Sequence, residues 1–191
     1  MSARTFPEFR LGKVLATSFT ATLTERCGEP VERIPAPSRL VDWLAVWGLM
    51  VDSCTETQLD HARELRETIH AALTAAGNQK PVPSWTVQGI NDYSVGGQAS
   101  AILTSEGSRE WRLGSASVED ALSVIAADAI SILAEERRGR IALCASSTCQ
   151  AAFFDTSRSG TRRWCEMNTC GNREKKSRFF ANKRNNLSPV G

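Results

Sequence analysis

Cys144, Cys149, Cys165 and Cys170 are the residues whose type and spacing point most directly to chemistry. They form two C-x4-C pairs separated by a fifteen-residue insert. Two short-spaced pairs bring four thiolates around one tetrahedral ion. Four thiolates leave no open coordination position, which describes a structural zinc site rather than a catalytic one. The alternatives are two disulfides, four unrelated thiols, or iron in place of zinc. The opening residues MSARTFPEFR lack the apolar run of a secretory leader. No stretch of about 18 apolar residues could span a bilayer. These features predict a reducing cytoplasmic setting, in which disulfides are disfavoured. Cys27 and Cys54 have no paired spacing and read as idle or buried thiols.

The elements around the cysteines must hold them. The insert QAAFFDTSRSGTRRW reads as two strands joined at Ser159-Gly160, with Phe153, Phe154 and Trp164 covering the metal. The stretch GNREKKSRFFANKR follows, free of proline and tolerant of helix. A knuckle, a hairpin and a helix whose first turn carries the last ligand make a treble-clef arrangement. Helical spacing places Arg173, Lys176 and Arg184 along one side, Lys175 and Lys183 on an adjoining side, and Arg178 on a third. Arg162 and Arg163 on the second strand and Arg158 at the turn extend this basic track. Such cations contact phosphates, giving affinity and salt dependence rather than sequence choice. Asn172 is expected to hold the knuckle backbone. Arg173 either does the same or reads a base. One of Phe179 and Phe180 is expected to pack on the hairpin.

Cys170-Gly171-Asn172-Arg173 spells C-G-N-R. With the run FFDTSRSGTRRWCEMNTCGNR it resembles the CGNR-type zinc finger of bacterial proteins, in which the finger follows an N-terminal ABATE domain. The resemblance is close over roughly residues 140–184 and looser over 10–76, where GEPVERIP and LVDWL carry it. It implies a stress-related transcription regulator that grips DNA with the finger, while the N-terminal domain binds a small-molecule effector or forms a homodimer. The family usually has an Asn-Thr pair after an aromatic residue near the start. Here Phe19 is followed by Thr20, Ala21 and Thr22. Any ligand shared by relatives is therefore expected to bind weakly.

Charge is divided unevenly. Residues 137–191 hold twelve Lys/Arg against Asp155, Glu166 and Glu174, a net +9, whereas residues 1–136 carry −7. That polarity points to an anionic partner, nucleic acid first. The alternative is a basic face docked on acidic protein, in which case zinc stabilises a protein- or RNA-interaction module.

The remaining pattern predicts an α+β chain. LGKVLATSFTATLTER fits a helix or a strand. GEPVERIPAP, with three prolines, is a loop. Ser38 is a candidate cap for the helix LVDWLAVW, which Gly48 stops. Thr55-x-x-Gln58 is a capping-box pattern before a longer helix, with Leu59, Ala62, Leu65, Ile69, Leu73 and Ala76 on one stripe and Gly77 at its end. Residues 84–115, rich in Val, Ile, Thr and aromatics, read as an antiparallel meander turning at Gly96-Gly97 and Glu106-Gly107. Ser117 opens a last long helix through about Glu136, with Val118, Leu122, Ile125, Ala129, Ile132 and Leu133 buried. The expected architecture is helices packed on that meander over residues 1–136, a treble-clef-like zinc finger over 137–184, and a flexible tail over 185–191. The two cores are expected to be separate. Trp43, Trp47 and Trp85 are candidate pocket linings but read more simply as core.

No phosphate-binding glycine loop and no H-E-x-x-H occurs. His61 and His70 are the only histidines, and residues 137–191 have none. No nucleophile-base set is present, so an enzyme is not expected.

Overall fold

The computed structural model describes residues 6–185, with the side chains of residues 181, 182, 184 and 185 excepted. The α+β class holds: among the described residues helices carry the bulk, and the strands form three two-stranded antiparallel pairs.

Helix α1 spans Leu15–Thr20, and all six of its residues are buried. The short strand β1 (Leu23–Thr24) then pairs with β2 (Val31–Glu32). The undecided periodicity of this segment thus resolves into both a helical turn and a strand. Arg66, only 4% exposed, anchors the pair. Its guanidinium donates to Glu32 at 2.8 and 2.9 Å, to Thr22 Oγ1 at 3.2 Å and to Glu67 at 2.8 Å. Burying a charge this deeply requires such partners.

Helix α2 spans Pro37–Val46. Its cap is Ala36 rather than Ser38, because Pro37 has its φ preset for the first helical position and has no N–H to satisfy. Gly48 follows with φ 72°, a conformation glycine adopts without strain. Leu40, Trp43 and Leu44 are fully buried, and Trp43 stacks at a tilt on Phe19, 5.2 Å between centroids.

Helix α3 (Glu56–Gly77) starts with both halves of the expected capping box, Gln58 N to Thr55 Oγ1 at 3.2 Å and Thr55 N to Gln58 Oε1 at 2.9 Å. Its apolar stripe faces the core as the spacing predicts, with Ala72 joining and Ala76 only half-buried.

The expected meander is corrected. Ser84–Val95 form helix α4, and only β3 (Ala99–Leu103) and β4 (Arg109–Leu113) pair, turning at Glu106-Gly107. The Trp, Thr, Val, Ile and Tyr of this segment favour strand only weakly, and packing decides. Pro83 caps the helix, and Thr86 and Ile90, four residues apart, sink between α3 and helix α5 (Val118–Leu133). Gly89 permits the close approach to α3, since a Cβ there would lie 3.1 Å from Thr68 Cγ2. Trp85 points outward from α4 and is exposed, contrary to a core role.

Ser117 caps α5 as expected, its Oγ accepting from Asp120 N at 3.2 Å. The Asp120 carboxylate accepts from Gln98 N and Ser115 N, both at 2.7 Å, and so pins the hairpin to the helix. No helix among the described residues is long and apolar enough to cross a membrane.

Strands β5 (Arg140–Leu143) and β6 (Ala152–Asp155) pair antiparallel and lie against α3. Ala152 and Phe154 are buried in the same core as Phe19, Leu65 and Ile125. The separate cores expected for the two segments are thereby corrected: alternation along β6 sends one face inward and leaves the other for the cysteines.

Candidate metal centre

The β5–β6 hairpin presents the first ligand pair. Its ladder ends on Cys144 N donating to Ala151 O at 2.9 Å. The intervening loop curls back, with Cys149 N and Gln150 N both donating to Ser146 O at 3.2 Å. Gln150 takes φ 46°, which closes the knuckle at the expense of a left-handed residue. The expected hairpin within the insert is corrected: β6 pairs with β5, and residues 161–164 run without strand pairing. Ala145 N donates to Arg163 O at 2.7 Å, which draws this run, and hence Cys165, against the knuckle.

A π turn, Met167–Gly171, delivers Cys170 just ahead of helix α6 (Asn172–Asn185). The C-G-N-R tetrad divides the work around it. Cys170 is fully buried. Gly171 leaves room for the Met167 and Trp164 side chains, since a Cβ there would displace Met167 Sδ and crowd Trp164 Cδ1 at 3.1 Å. Asn172 Nδ2 donates to Asn168 O at 3.2 Å, closing the turn on its own backbone. Arg173 is half-buried and reaches back toward the first loop of the chain. Its guanidinium forks onto the Glu25 carboxylate at 2.6 and 2.8 Å and donates to Cys170 Sγ at 3.5 Å. The Thr148 hydroxyl also donates to Glu25 at 2.9 Å, and Cys27 N donates to Thr148 O at 3.0 Å. A loop of the N-terminal segment thus clasps the knuckle and the root of α6.

The four sulfurs lie within 4.8 Å of one another. Cys149 Sγ is 3.7 Å from Cys165 Sγ, which is 3.6 Å from Cys170 Sγ. A tetrahedral ion with bonds of about 2.3 Å separates its sulfur ligands by about 3.8 Å, whereas a disulfide needs about 2.05 Å. All six cysteines are free. The cluster also asks for a cation. Hydrogen bonds from Cys149 and Cys165 push the Cys144 thiol down, while the contact with Cys144 pushes Cys149 and Cys165 up. Negative charge on one sulfur opposes charge on the next unless an ion sits between them. The donor set therefore fits one structural zinc ion, with Cys144, Cys149, Cys165 and Cys170 as ligands.

Phe153 and Trp164 pack with the cysteines, as the sequence predicts, but Phe154 faces the main core instead. A cavity of about 100 Å³ lies beside the cluster, reached by Ala21, Arg10, Cys149, Cys165 and Glu166.

The basic track lies as follows. Arg158, Arg162, Arg163, Lys175, Lys176, Arg178 and Lys183 are exposed. Arg162 donates to Cys165 O at 2.7 Å, its guanidinium 5.1 Å from the Phe153 ring, and Arg163 stacks 5.2 Å from Trp164. Arg173 is half-buried and ion-paired to Glu25. The Arg184 side chain and the tail beyond residue 185 lie outside the described residues. Phe179 and Phe180 are both exposed, and neither packs on the hairpin as expected. Asp155 is buried and holds the Asp-x-Ser-Arg turn, accepting from Ser157 N at 2.9 Å and Arg162 N at 3.0 Å. Sequence inspection missed Glu25 and Thr148, since their contacts join residues 148 and 123 positions apart.

A buried four-thiolate cluster between a β-knuckle and a basic helix defines a zinc-finger protein. The CGNR zinc finger model matches residues 140–183. The model of the ABATE family, described as "Putative stress-induced transcription regulator", matches residues 13–136, and the chain belongs to that family. No curated protein matches it.

Proposed function

We propose that this protein is a DNA-binding transcription regulator. Residues 137–184 form the DNA-gripping unit, in which zinc holds a treble-clef-like knuckle and helix. Residues 1–136 form the unit that binds a small-molecule effector or a second copy. The protein works in the cytoplasm, at the nucleoid. Catalysis has no part in this reading, since the matched families are described by regulation and by zinc binding.

The observation that carries the proposal is the set of seven exposed cations, Arg158, Arg162, Arg163, Lys175, Lys176, Arg178 and Lys183, on a segment of net charge +9. Cations spread along a helix and an adjacent turn contact successive phosphates and release condensed counterions. Zinc supplies charge neutralisation and crosslinking when bound. The chain's own residues do the rest: Asp155 shapes the turn that carries Arg158, and Arg162 is braced by Phe153 and by Cys165 O.

The test is binding of the zinc-loaded full chain to random duplex DNA across salt concentrations. A steep loss of affinity with salt supports the proposal. Salt-insensitive or absent binding refutes it and leaves the basic surface to a protein partner.

A further inference from the structure

Helix α6 carries an exposed aromatic pair for which phosphate binding has no use. Phe179 and Phe180 are 64% and 60% exposed, with ring centroids 5.7 Å apart in an edge-to-face arrangement. Helical spacing frames them with lysines. Lys175 and Lys176 lie one turn before the rings and Lys183 one turn after, on the same face. All three lysines are exposed. The one acidic residue of α6, Glu174, falls on the opposite side by the same spacing. Among the described residues, the only element against which α6 packs extensively is the π turn that precedes it.

The chemistry of this face selects its occupant. A second copy of the helix would press lysine frame against lysine frame, and like charges repel. Duplex DNA offers phosphates to the lysines but hides the faces of its bases. A single strand offers both a phosphate track and flat apolar surfaces. We infer that the face made by Lys175, Lys176, Phe179, Phe180 and Lys183 binds single-stranded DNA, the phenyl rings stacking on unpaired bases and the ammonium groups meeting the flanking phosphates. This rests on the DNA-binding reading above and names the form of DNA that α6 takes. A regulator built this way holds a locally opened duplex, with Arg158, Arg162 and Arg163 left for neighbouring backbone.

The experiment uses the zinc-loaded full chain, a fluorescein-labelled oligothymidylate of about 20 nucleotides, longer than one stacking platform covers, and a mixed-sequence duplex of the same length. Anisotropy is read across salt for the parent and for the Phe179→Ala/Phe180→Ala variant. Both rings are exposed, so zinc content and circular dichroism should match the parent. The expected result is a loss of at least about fivefold on the single strand, the factor carried by one base stack. Duplex affinity should change less than about twofold, with the salt slope unaltered because no charge is removed. Phe179→Tyr/Phe180→Tyr should restore single-strand binding, since tyrosine presents the same π-face.

Single-strand affinity equal to the parent's in the alanine variant overturns the inference, as does an equal loss on both forms of DNA. A change in sedimentation of the free alanine variant overturns it in favour of a contact between copies. An oligouridylate bound roughly tenfold more tightly than the oligothymidylate overturns the choice of DNA. A parent that binds the duplex but not the single strand sinks this inference alone. A parent that binds neither sinks the DNA-binding reading with it.

Discussion

Glu25→Gln should loosen the clasp between the N-terminal segment and the zinc knuckle. Arg173 meets Glu25 with two parallel hydrogen bonds of 2.6 and 2.8 Å, the strongest side-chain geometry for this pair of groups. The Glu25 side chain is 12% exposed and that of Arg173 is 40% exposed. A fully exposed ion pair contributes about 0.2–1 kcal/mol, and breaking a buried one costs about 3–5 kcal/mol. With one partner buried and the other partly screened, the loss should be about 1–2 kcal/mol. For a chain of this length that corresponds to a fall in Tm of about 2–8 °C. Glu25 itself sits at φ 55°. Glutamine leaves that backbone requirement unchanged, so the substitution reports on the loss of the charge and of one acceptor oxygen, felt by Arg173, Thr148 and Arg10, and the cycle with Arg173→Gln isolates the Arg173 share. The assay is a double-mutant cycle of Glu25→Gln, Arg173→Gln and both together, followed by urea denaturation of zinc-loaded protein. A coupling energy of about 1 kcal/mol is expected. Arg173 also donates to Cys170 Sγ, so Glu25→Gln should speed zinc transfer to a chelator. Coupling below about 0.3 kcal/mol, within the scatter of independent sites, together with unchanged zinc release would refute the reasoning.

Freshly purified, reduced protein should contain one zinc per chain. Cys165→Ser should abolish binding and lower N-terminal stability as well, because Ala152 and Phe154 belong to the shared core; elemental analysis and urea denaturation of both forms check this. Neutralising Lys175, Lys176 and Arg178 together should weaken duplex binding for all sequences and reduce the salt slope by up to about three units. An unchanged slope in a salt titration would exclude these three as phosphate contacts. Burial pushes the His70 imidazole down to about 4, with repulsion from Arg26 outweighing the pull of Glu67. The neutral ring's contribution is therefore complete above its unfolded value of 6.5 and is lost as pH falls from there toward 4. His70→Gln should flatten the stability loss between about pH 7 and pH 5, seen as urea midpoints that move less than the parent's.

Much of this protein is written in short-range pattern. The C-x4-C pairs state the metal, because ligand number and type belong to a few residues close in sequence. Thr55, Gln58 and Ser117 mark helix starts through hydrogen bonds three residues long. The apolar stripes of α3 and α5 point inward because a 3.6-residue period admits one buried face. Pattern fails where two local structures are nearly equal in free energy and a distant surface chooses between them. Residues 84–95 have strand-like composition, yet the groove between α3 and α5 selects a helix that buries Thr86 and Ile90. The partner of β6 is β5 across the knuckle rather than the residues after the Ser159-Gly160 turn. That pairing lets Phe154 enter the main core while Phe153 covers the cysteines. The fate of Arg173 was open in the sequence because it depends on Glu25, 148 positions away, and no periodicity spans such a distance. Only the folded chain, by pressing the first loop onto the knuckle, gives that arginine the carboxylate partner that ties its two ends together.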